Sequence, residues 1–154
     1  LGVGMKVKAV DMQTNPVEIP IHIEGVADLK VNITPNNNLK DIIGELDYIS
    51  LHVPKQKDGR AVIEEDLIDR MKDGVIIVNA ARGGVIDEDA LIAGLASGKI
   101  RAAGLDVFEN EPTPRKDLLE NEKIATTPHI GAATTEAQSR IGLELADQIA
   151  NLLK

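Results

Sequence analysis

Residues 75–108 (VIIVNAARGGVIDEDALIAGLASGKIRAAGLDVF) carry a strand, a helix and a second strand in immediate succession. Residues 75–78 form a short, continuously apolar run, which is typical of a strand buried on both faces of a sheet. Asp87 is a favourable N-cap for the helix that follows, and Gly98 can adopt the left-handed conformation that ends a helix. This order predicts two parallel strands joined by a crossover helix.

The same alternation of strands and helices extends along most of the chain. Further strands are predicted at residues 5–10, 47–53 and 123–127, and further helices at residues 39–46, at residues 63–71 and after residue 134. The last helix begins with Thr135 and Gln138, which match a capping box. Residues 18–34 alternate apolar and polar side chains around Gly25, which predicts a β-hairpin. We therefore predict an α/β fold, a doubly wound parallel sheet with helices on both faces.

Composition and charge exclude several classes of function. The 154 residues include 25 Asp and Glu but only 17 Lys and Arg, and no cysteine. Because phosphate contacts need clustered Lys and Arg, we expect no nucleic-acid partner. No apolar run approaches the roughly 18 residues that span a bilayer, so we expect a cytoplasmic protein without a membrane partner. Without cysteine there is no thiol nucleophile or thiolate metal site, and we predict no metal.

Polar side chains follow several of the predicted strands at the point where each strand ends. Arg82, Glu111 and His129 each lie after a different strand. Ligands of open parallel sheets bind beyond the carboxyl ends of the strands, so these three side chains can converge on one crevice. Each residue alone would be read as an ordinary surface group, but together they form a plausible catalytic trio.

Three ordered motifs carry a resemblance to a known family. They are residues 79–87 (NAARGGVID), residues 106–112 (DVFENEP) and residues 127–131 (TPHIG). In this order and spacing they resemble the NAD-dependent D-2-hydroxyacid dehydrogenases. Residues 135–138 (TEAQ) and the helix after them are most similar to the D-3-phosphoglycerate dehydrogenase branch of that family. The resemblance implies a Rossmann-like NAD-binding domain.

The resemblance also implies a role for each member of the trio. Arg82 matches the arginine that binds the substrate carboxylate, a task for which the planar guanidinium fork is suited. His129 matches the acid/base histidine, whose ordinary pKa lets both protonation states exist near neutral pH. Glu111 matches the carboxylate that orients this histidine. His22 and His52 match no family position and are given no role.

A second set of residues is implied to hold the cofactor. Asp11 closes the first predicted strand, where a dinucleotide fold places the acid that binds the adenosine ribose hydroxyls. An acid there repels a 2′-phosphate, so we predict NAD rather than NADP. Asp106 is expected beside the nicotinamide amide. The other residues implied to line the cofactor are Val53, Pro54, Ala80, Ala81, Arg82, His129 and Gly131.

The expected reaction is hydride transfer between NAD and a D-2-hydroxy acid. The first candidate is oxidation of D-3-phosphoglycerate to 3-phosphohydroxypyruvate in serine biosynthesis. Reduction of glyoxylate, hydroxypyruvate or D-lactate's oxo acid is the near alternative. A non-catalytic NAD-binding module of the corepressor kind is the alternative from another class. The resemblance also implies a homodimer or a higher homo-oligomer.

The glycine fingerprint of a dinucleotide fold is not matched at the start of the chain. Gly2 and Gly4 offer a G-x-G, but Val7 occupies the third glycine position and no strand precedes it. We therefore expect the fingerprint and its strand upstream of Leu1. On this reading, residues 1–154 are most of a dinucleotide-binding domain, whose last helix leads to a separate substrate domain, and they are not expected to be active alone.

Overall fold

The computed structural model describes residues 4–25 and 28–153. The chain divides into two compact units, Leu1–Gly44 and Glu45–Lys154. Gly2, which belongs to the G-x-G pattern, lies outside the described residues. No helix in the described ranges combines the length and the apolar character needed to cross a bilayer.

The first unit is built around the predicted β-hairpin. Strand β1 (Val17–Ile21) pairs antiparallel with β2 (Leu29–Ile33), and Ile19 lies opposite Val31. Gly25, in the connection, has a φ of +78°, a conformation that glycine adopts without steric cost. The period-two pattern was therefore a correct indication of strand pairing.

Two predictions within residues 5–46 are wrong. The strand expected at residues 5–10 is not formed, and in the described part of this segment only Val10 makes a bridge, to Asn36. An alternating pattern becomes a strand only where a neighbour bonds to it along its length, and here a single residue pair does so. The helix expected at residues 39–46 is instead two 3₁₀ turns, Leu39–Asp41 and Ile43–Glu45. Short segments of this kind often take the tighter winding.

The second unit contains the predicted parallel sheet. Its elements are β3 (Tyr48–Leu51), α1 (Glu65–Asp69), β4 (Val75–Asn79), α2 (Glu88–Ser97), β5 (Ile100–Leu105), α3 (Lys116–Leu119), β6 (Ile124–Thr126) and α4 (Thr135–Leu152). The four strands lie in the order β3, β4, β5, β6, and every neighbouring pair is parallel. The strand–helix–strand unit of residues 75–108 is confirmed, with β5 ending before Asp106. Helix α3 was not predicted.

Helix α2 shows how the sequence specifies its own packing. The Asp87 side chain caps the helix by accepting a hydrogen bond from Ala90 N at 3.0 Å, and Gly98 ends it with a φ of +81°. Gly94 faces Ile100 of β5 so closely that a Cβ there would lie 2.8 Å from the Ile100 Cδ1. The largest fully buried side chains of this unit are Ile63, Val75, Ile77, Val85, Leu91, Leu95, Ile100 and Leu118. Burial stabilises each of them by about 1.5–3 kcal/mol.

Helix α4 begins one residue earlier than the capping box indicated. Thr134 is the N-cap, and its hydroxyl accepts a hydrogen bond from Ala137 N at 3.1 Å. The reason is backbone geometry, because Thr134 is extended whereas Thr135 is already helical. Gln138 donates to Ala132 O at 3.2 Å instead of reaching the cap N–H. No residue of this fully described helix is buried.

Candidate active site

The carboxyl ends of the four parallel strands are aligned in one row. Leu51 lies opposite Asn79, Asn79 opposite Leu105, and Leu105 opposite Thr126. The chain leaves the sheet just after this row in every strand. The three motifs, which begin at or directly after this row in β4, β5 and β6, therefore emerge at the same edge.

The loop of Arg82 is shaped by a buried amide. Asn79 is 3% exposed, its Oδ1 accepts a hydrogen bond from Ala81 N at 3.1 Å, and its Nδ2 donates to Arg82 O at 3.0 Å. These bonds turn the chain immediately after β4 and leave Arg82 exposed at the edge. Asn79 was not among the site residues predicted from the sequence, although a polar residue that closes an apolar strand is a usable signal for such a turn.

Glu111 and His129 meet directly. The Nδ1 atom of His129 lies 2.7 Å from Oε2 of Glu111, and the other carboxylate oxygen accepts a hydrogen bond from Phe108 N at 2.9 Å. The hydrogen bonds from His129 and from the Phe108 N–H lower the pKa of Glu111. An ionised carboxylate can only accept, so Nδ1 of His129 carries the proton in this pair. In the neutral ring, Nε2 is then the nitrogen with a free lone pair.

His129 has an unusual backbone. Its φ is +55°, in the left-handed region that residues other than glycine rarely occupy. The neighbouring backbone is held by Asp106, whose Oδ1 accepts from Ile130 N at 2.9 Å and whose Oδ2 accepts from Gly131 N at 2.8 Å. Strained conformations of this kind persist where the surroundings impose them, commonly at functional sites.

Asp106 is a buried carboxylate, 7% exposed, at the end of β5. Burial alone would raise its pKa, but hydrogen bonds from the Thr127 hydroxyl and from the Ile130 and Gly131 N–H groups outweigh this effect and lower the pKa. The Thr127 hydroxyl lies 2.5 Å from Oδ1. Asp106 is therefore ionised, and it ties β5 to the loop that carries His129.

The remaining residues that the sequence assigned to cofactor binding are distributed over both units. Val53 is half-buried, Ala81 is buried, and Pro54, Ala80 and Gly131 are exposed at or near the strand ends. Asp11 belongs to the first unit, where its exposed carboxylate accepts a hydrogen bond from Gln13 N at 2.8 Å. In the described ranges, no cluster of three or more His and carboxylate side chains could hold a metal ion.

Comparison with known proteins identifies the family. Residues 1–131 match the family described as D-isomer specific 2-hydroxyacid dehydrogenase, NAD binding domain. A hydroxypyruvate reductase from Thermotoga maritima is 45% identical over 152 residues, which are 97% of this chain and 45% of that protein. A D-3-phosphoglycerate dehydrogenase from Archaeoglobus fulgidus is 39% identical over 153 residues, which are 99% of this chain and 28% of that protein.

A solved structure agrees with these relatives. The crystal structure of the holo form of D-mandelate dehydrogenase from Rhodotorula graminis is 42% identical, with a TM-score of 0.63 over 68% of this chain and 30% of that one. The chain thus spans less than half the length of each of these proteins. The fold, the three motifs and these matches agree, and the chain belongs to the NAD-binding-domain family of the D-isomer-specific 2-hydroxyacid dehydrogenases.

Proposed function

We propose that this chain supplies the acid/base pair and much of the cofactor site of an NAD-dependent D-2-hydroxyacid dehydrogenase. The observation that carries the proposal is the 2.7 Å contact between His129 Nδ1 and Glu111 Oε2 at the carboxyl edge of a parallel sheet. In the proposed arrangement, residues 1–154 are most of the dinucleotide-binding domain, and α4 leads to a substrate domain.

The chemistry of the edge suits a dinucleotide. Asp106 Oδ2 accepts a hydrogen bond from Gly131 N, and a carboxylate oxygen has two lone pairs, so it retains acceptor capacity for a carboxamide N–H. Ala80 and Ala81 present small side chains and backbone to a flat ring. When bound, NAD supplies the hydride acceptor for oxidation and the hydride donor for reduction.

The side chains of this chain divide the remaining work. Arg82 binds the substrate carboxylate with two guanidinium N–H groups and so orients the reacting carbon. During oxidation, Nε2 of His129 takes the hydroxyl proton, and the ionised Glu111 stabilises the imidazolium that forms. During reduction, the same nitrogen returns the proton to the oxygen of the 2-oxo acid.

Asp11 is proposed to select NAD. Its carboxylate would accept hydrogen bonds from the ribose hydroxyls and would repel a 2′-phosphate. Initial rates with NADH and NADPH test this proposal, with Asp11→Ala beside the unchanged protein. We expect a strong preference for NADH that the substitution reduces. An equal rate with both cofactors in the unchanged protein would contradict it.

The proposed substrate pair is D-3-phosphoglycerate and 3-phosphohydroxypyruvate, supported by the TEAQ helix start and by the Archaeoglobus relative. Hydroxypyruvate is the second candidate, because the Thermotoga relative is 45% identical over 97% of the chain. Glyoxylate and pyruvate, the oxo acid of D-lactate, retain the same chemistry at the reacting carbon. A homodimer or higher homo-oligomer is proposed as the assembly.

One comparison of rates tests the proposal. The complete enzyme is assayed with NADH and, in parallel, with phosphohydroxypyruvate, hydroxypyruvate, glyoxylate and pyruvate. We expect the highest kcat/KM with phosphohydroxypyruvate. A higher value with hydroxypyruvate would move the assignment to the second candidate. If NADH binds but no 2-oxo acid is reduced, the protein is a non-catalytic NAD-binding module of the corepressor kind.

A further inference from the structure

Glu88 is a buried carboxylate with no role in the chemistry described above. It is the first residue of α2 and is 7% exposed. Its Oε1 accepts a hydrogen bond from the backbone N–H of Glu109 at 2.8 Å, across 21 positions of sequence. Glutamate is almost never fully buried unless it is paired, so this placement needs a reason.

Capping of α2 does not supply that reason. Asp87 already satisfies the helix start through its bond from Ala90 N. Burial is the largest influence on the pKa of Glu88 and raises it, while the hydrogen bond from the Glu109 N–H opposes the rise. The site therefore accepts a desolvation cost that an exposed glutamate would avoid. The hydrogen bond from Glu109 N to Glu88 offsets part of this cost and attaches the loop after β5 to the start of α2.

The peptide whose N–H is bonded to Glu88 also packs directly against the backbone of Gly83. A Cβ on Gly83 would lie 1.8 Å from the Phe108 carbonyl oxygen, 2.3 Å from its carbon and 2.8 Å from Glu109 N. These three atoms belong to one peptide unit, the same unit whose N–H is bonded to Glu88. This peptide, which we call the 108–109 peptide, is therefore fixed by a close backbone approach and by a hydrogen bond.

The three residues of the proposed catalytic trio are linked to the chain on either side of the 108–109 peptide. Gly83 directly follows Arg82 in the chain. On the other side, Phe108 N donates to Glu111 Oε1 at 2.9 Å, and the second oxygen of that carboxylate pairs with His129. A shift of the 108–109 peptide would thus move Glu111 relative to both Arg82 and His129.

We propose that Glu88 is a positioning residue for the reaction, which fixes the 108–109 peptide against Gly83 and thereby sets the distance between Arg82 and the Glu111–His129 pair. This inference rests on the proposed dehydrogenase function. Glu88 itself is buried, so no contact with substrate is proposed for it. Its loss is therefore expected to lower kcat while the KM for NADH stays nearly unchanged.

Two substitutions of similar size separate the hydrogen bond from the packing. Glu88→Met fills the space but offers no comparable acceptor, whereas Glu88→Gln keeps an amide oxygen that can accept from Glu109 N. In the complete enzyme, we expect Glu88→Met to lower kcat by about 10- to 100-fold, as small misplacements of catalytic groups do. We expect Glu88→Gln to lose no more than about threefold, because a neutral acceptor keeps part of the bond.

The matched control is Glu65→Met. Glu65 is the first residue of α1 and is exposed, so the same change at a helix start should leave kcat unaltered. Equal losses in Glu88→Met and Glu88→Gln would overturn the proposal, because charge or packing would then matter and not the bond. Unchanged kcat in Glu88→Met would overturn it as well.

Hydrogen exchange provides a readout that needs no turnover. The amide of Glu109 should exchange faster in Glu88→Met than in the unchanged protein, with Glu88→Gln between them. If Glu88→Met does not melt cooperatively, the comparison of Glu88→Gln with the unchanged protein decides, and a loss of kcat well beyond threefold in Glu88→Gln without faster exchange at Glu109 contradicts the proposal. If the unchanged protein reduces no 2-oxo acid, the dehydrogenase function fails on that result alone, while the exchange data still report whether Glu88 holds the peptide.

Discussion

Asp106 and Gly131 are in contact through both a hydrogen bond and close packing. Gly131 N donates to Asp106 Oδ2 at 2.8 Å, and a Cβ on Gly131 would lie 3.0 Å from the same oxygen. The Asp106 carboxylate thus packs directly against the backbone that follows His129. Its acceptor atoms, not its charge alone, determine the course of that loop.

Asp106→Asn should therefore destabilise the protein and lower kcat. One of the two carboxylate oxygens becomes an NH₂ group that faces a backbone N–H, so at least one donor loses its partner. We expect a loss of about 2 kcal/mol in the free energy of unfolding at pH 7. Thermal melting measures this loss, and Asp69→Asn, an exposed change on α1, is the control.

The same variant tests the direction of a pKa shift. The pKa of Asp106 is lower in the folded protein than its ordinary value. The stabilisation it provides is therefore complete above the ordinary pKa and is lost as the pH falls through the lowered folded value. The melting temperatures of Asp106→Asn and of the unchanged protein should converge in that acidic range. A gap that stays constant down to low pH would contradict this account.

Gly83→Ala should lower kcat far more than Gly98→Ala, a substitution that affects stability away from the site. The new Cβ has no space beside the Phe108 carbonyl, so one of the two loops must move. We expect kcat to fall by about 100-fold or more. Gly98→Ala is the control, because Gly98 has a φ of +81° and open surroundings, so strain costs about 1–2 kcal/mol of stability without touching the site. Similar kcat values in the two variants would show that the contact is not needed.

Replacement of His129 by Ala should remove most of the turnover and leave NADH binding intact. Loss of a general acid/base costs about 100- to 10,000-fold in rate. Steady-state kinetics and NADH fluorescence titration separate the two effects. If turnover survives, the assigned role of His129 is wrong.

Glu111→Gln should lower kcat less than the loss of His129, because the amide can still accept from Nδ1 but no longer stabilises a positive ring. In the unchanged protein the pKa of Glu111 is lowered by its bonds from His129 and from Phe108 N. The carboxylate therefore stays ionised as the pH falls, and its contribution is lost only below its ordinary range. The ratio of kcat in the unchanged protein to kcat in Glu111→Gln should therefore fall towards one at acidic pH.

Arg82→Lys should raise the KM for the 2-oxo acid by about tenfold or more. A lysine ammonium keeps the charge but cannot make two parallel hydrogen bonds to a carboxylate. The control is Arg101→Lys, since Arg101 is exposed on β5 near the opposite ends of the strands. Equal KM values for the two variants would argue against a substrate contact by Arg82.

Local sequence was sufficient for the parts of the fold in which neighbours along the chain decide the structure. The β4–α2–β5 unit follows from an apolar run, an N-cap at Asp87 and a left-handed Gly98, and all three act within a few residues. Where the partner is distant, the pattern was a poor guide. Residues 5–10 alternate like a strand but have one bridge, because strand formation depends on a neighbour that local sequence does not specify.

The sequence by itself determined which residues emerge at the strand ends, and the family motifs singled out Arg82, Glu111 and His129. Only the tertiary structure decided how their loops are held together. The lack of space beside Gly83, the bond from Glu109 N to Glu88 and the two N–H groups bound by Asp106 all depend on segments that are far apart in the chain. These contacts form only when the folded sheet brings the segments within a few ångströms of one another, so the local sequence does not specify them.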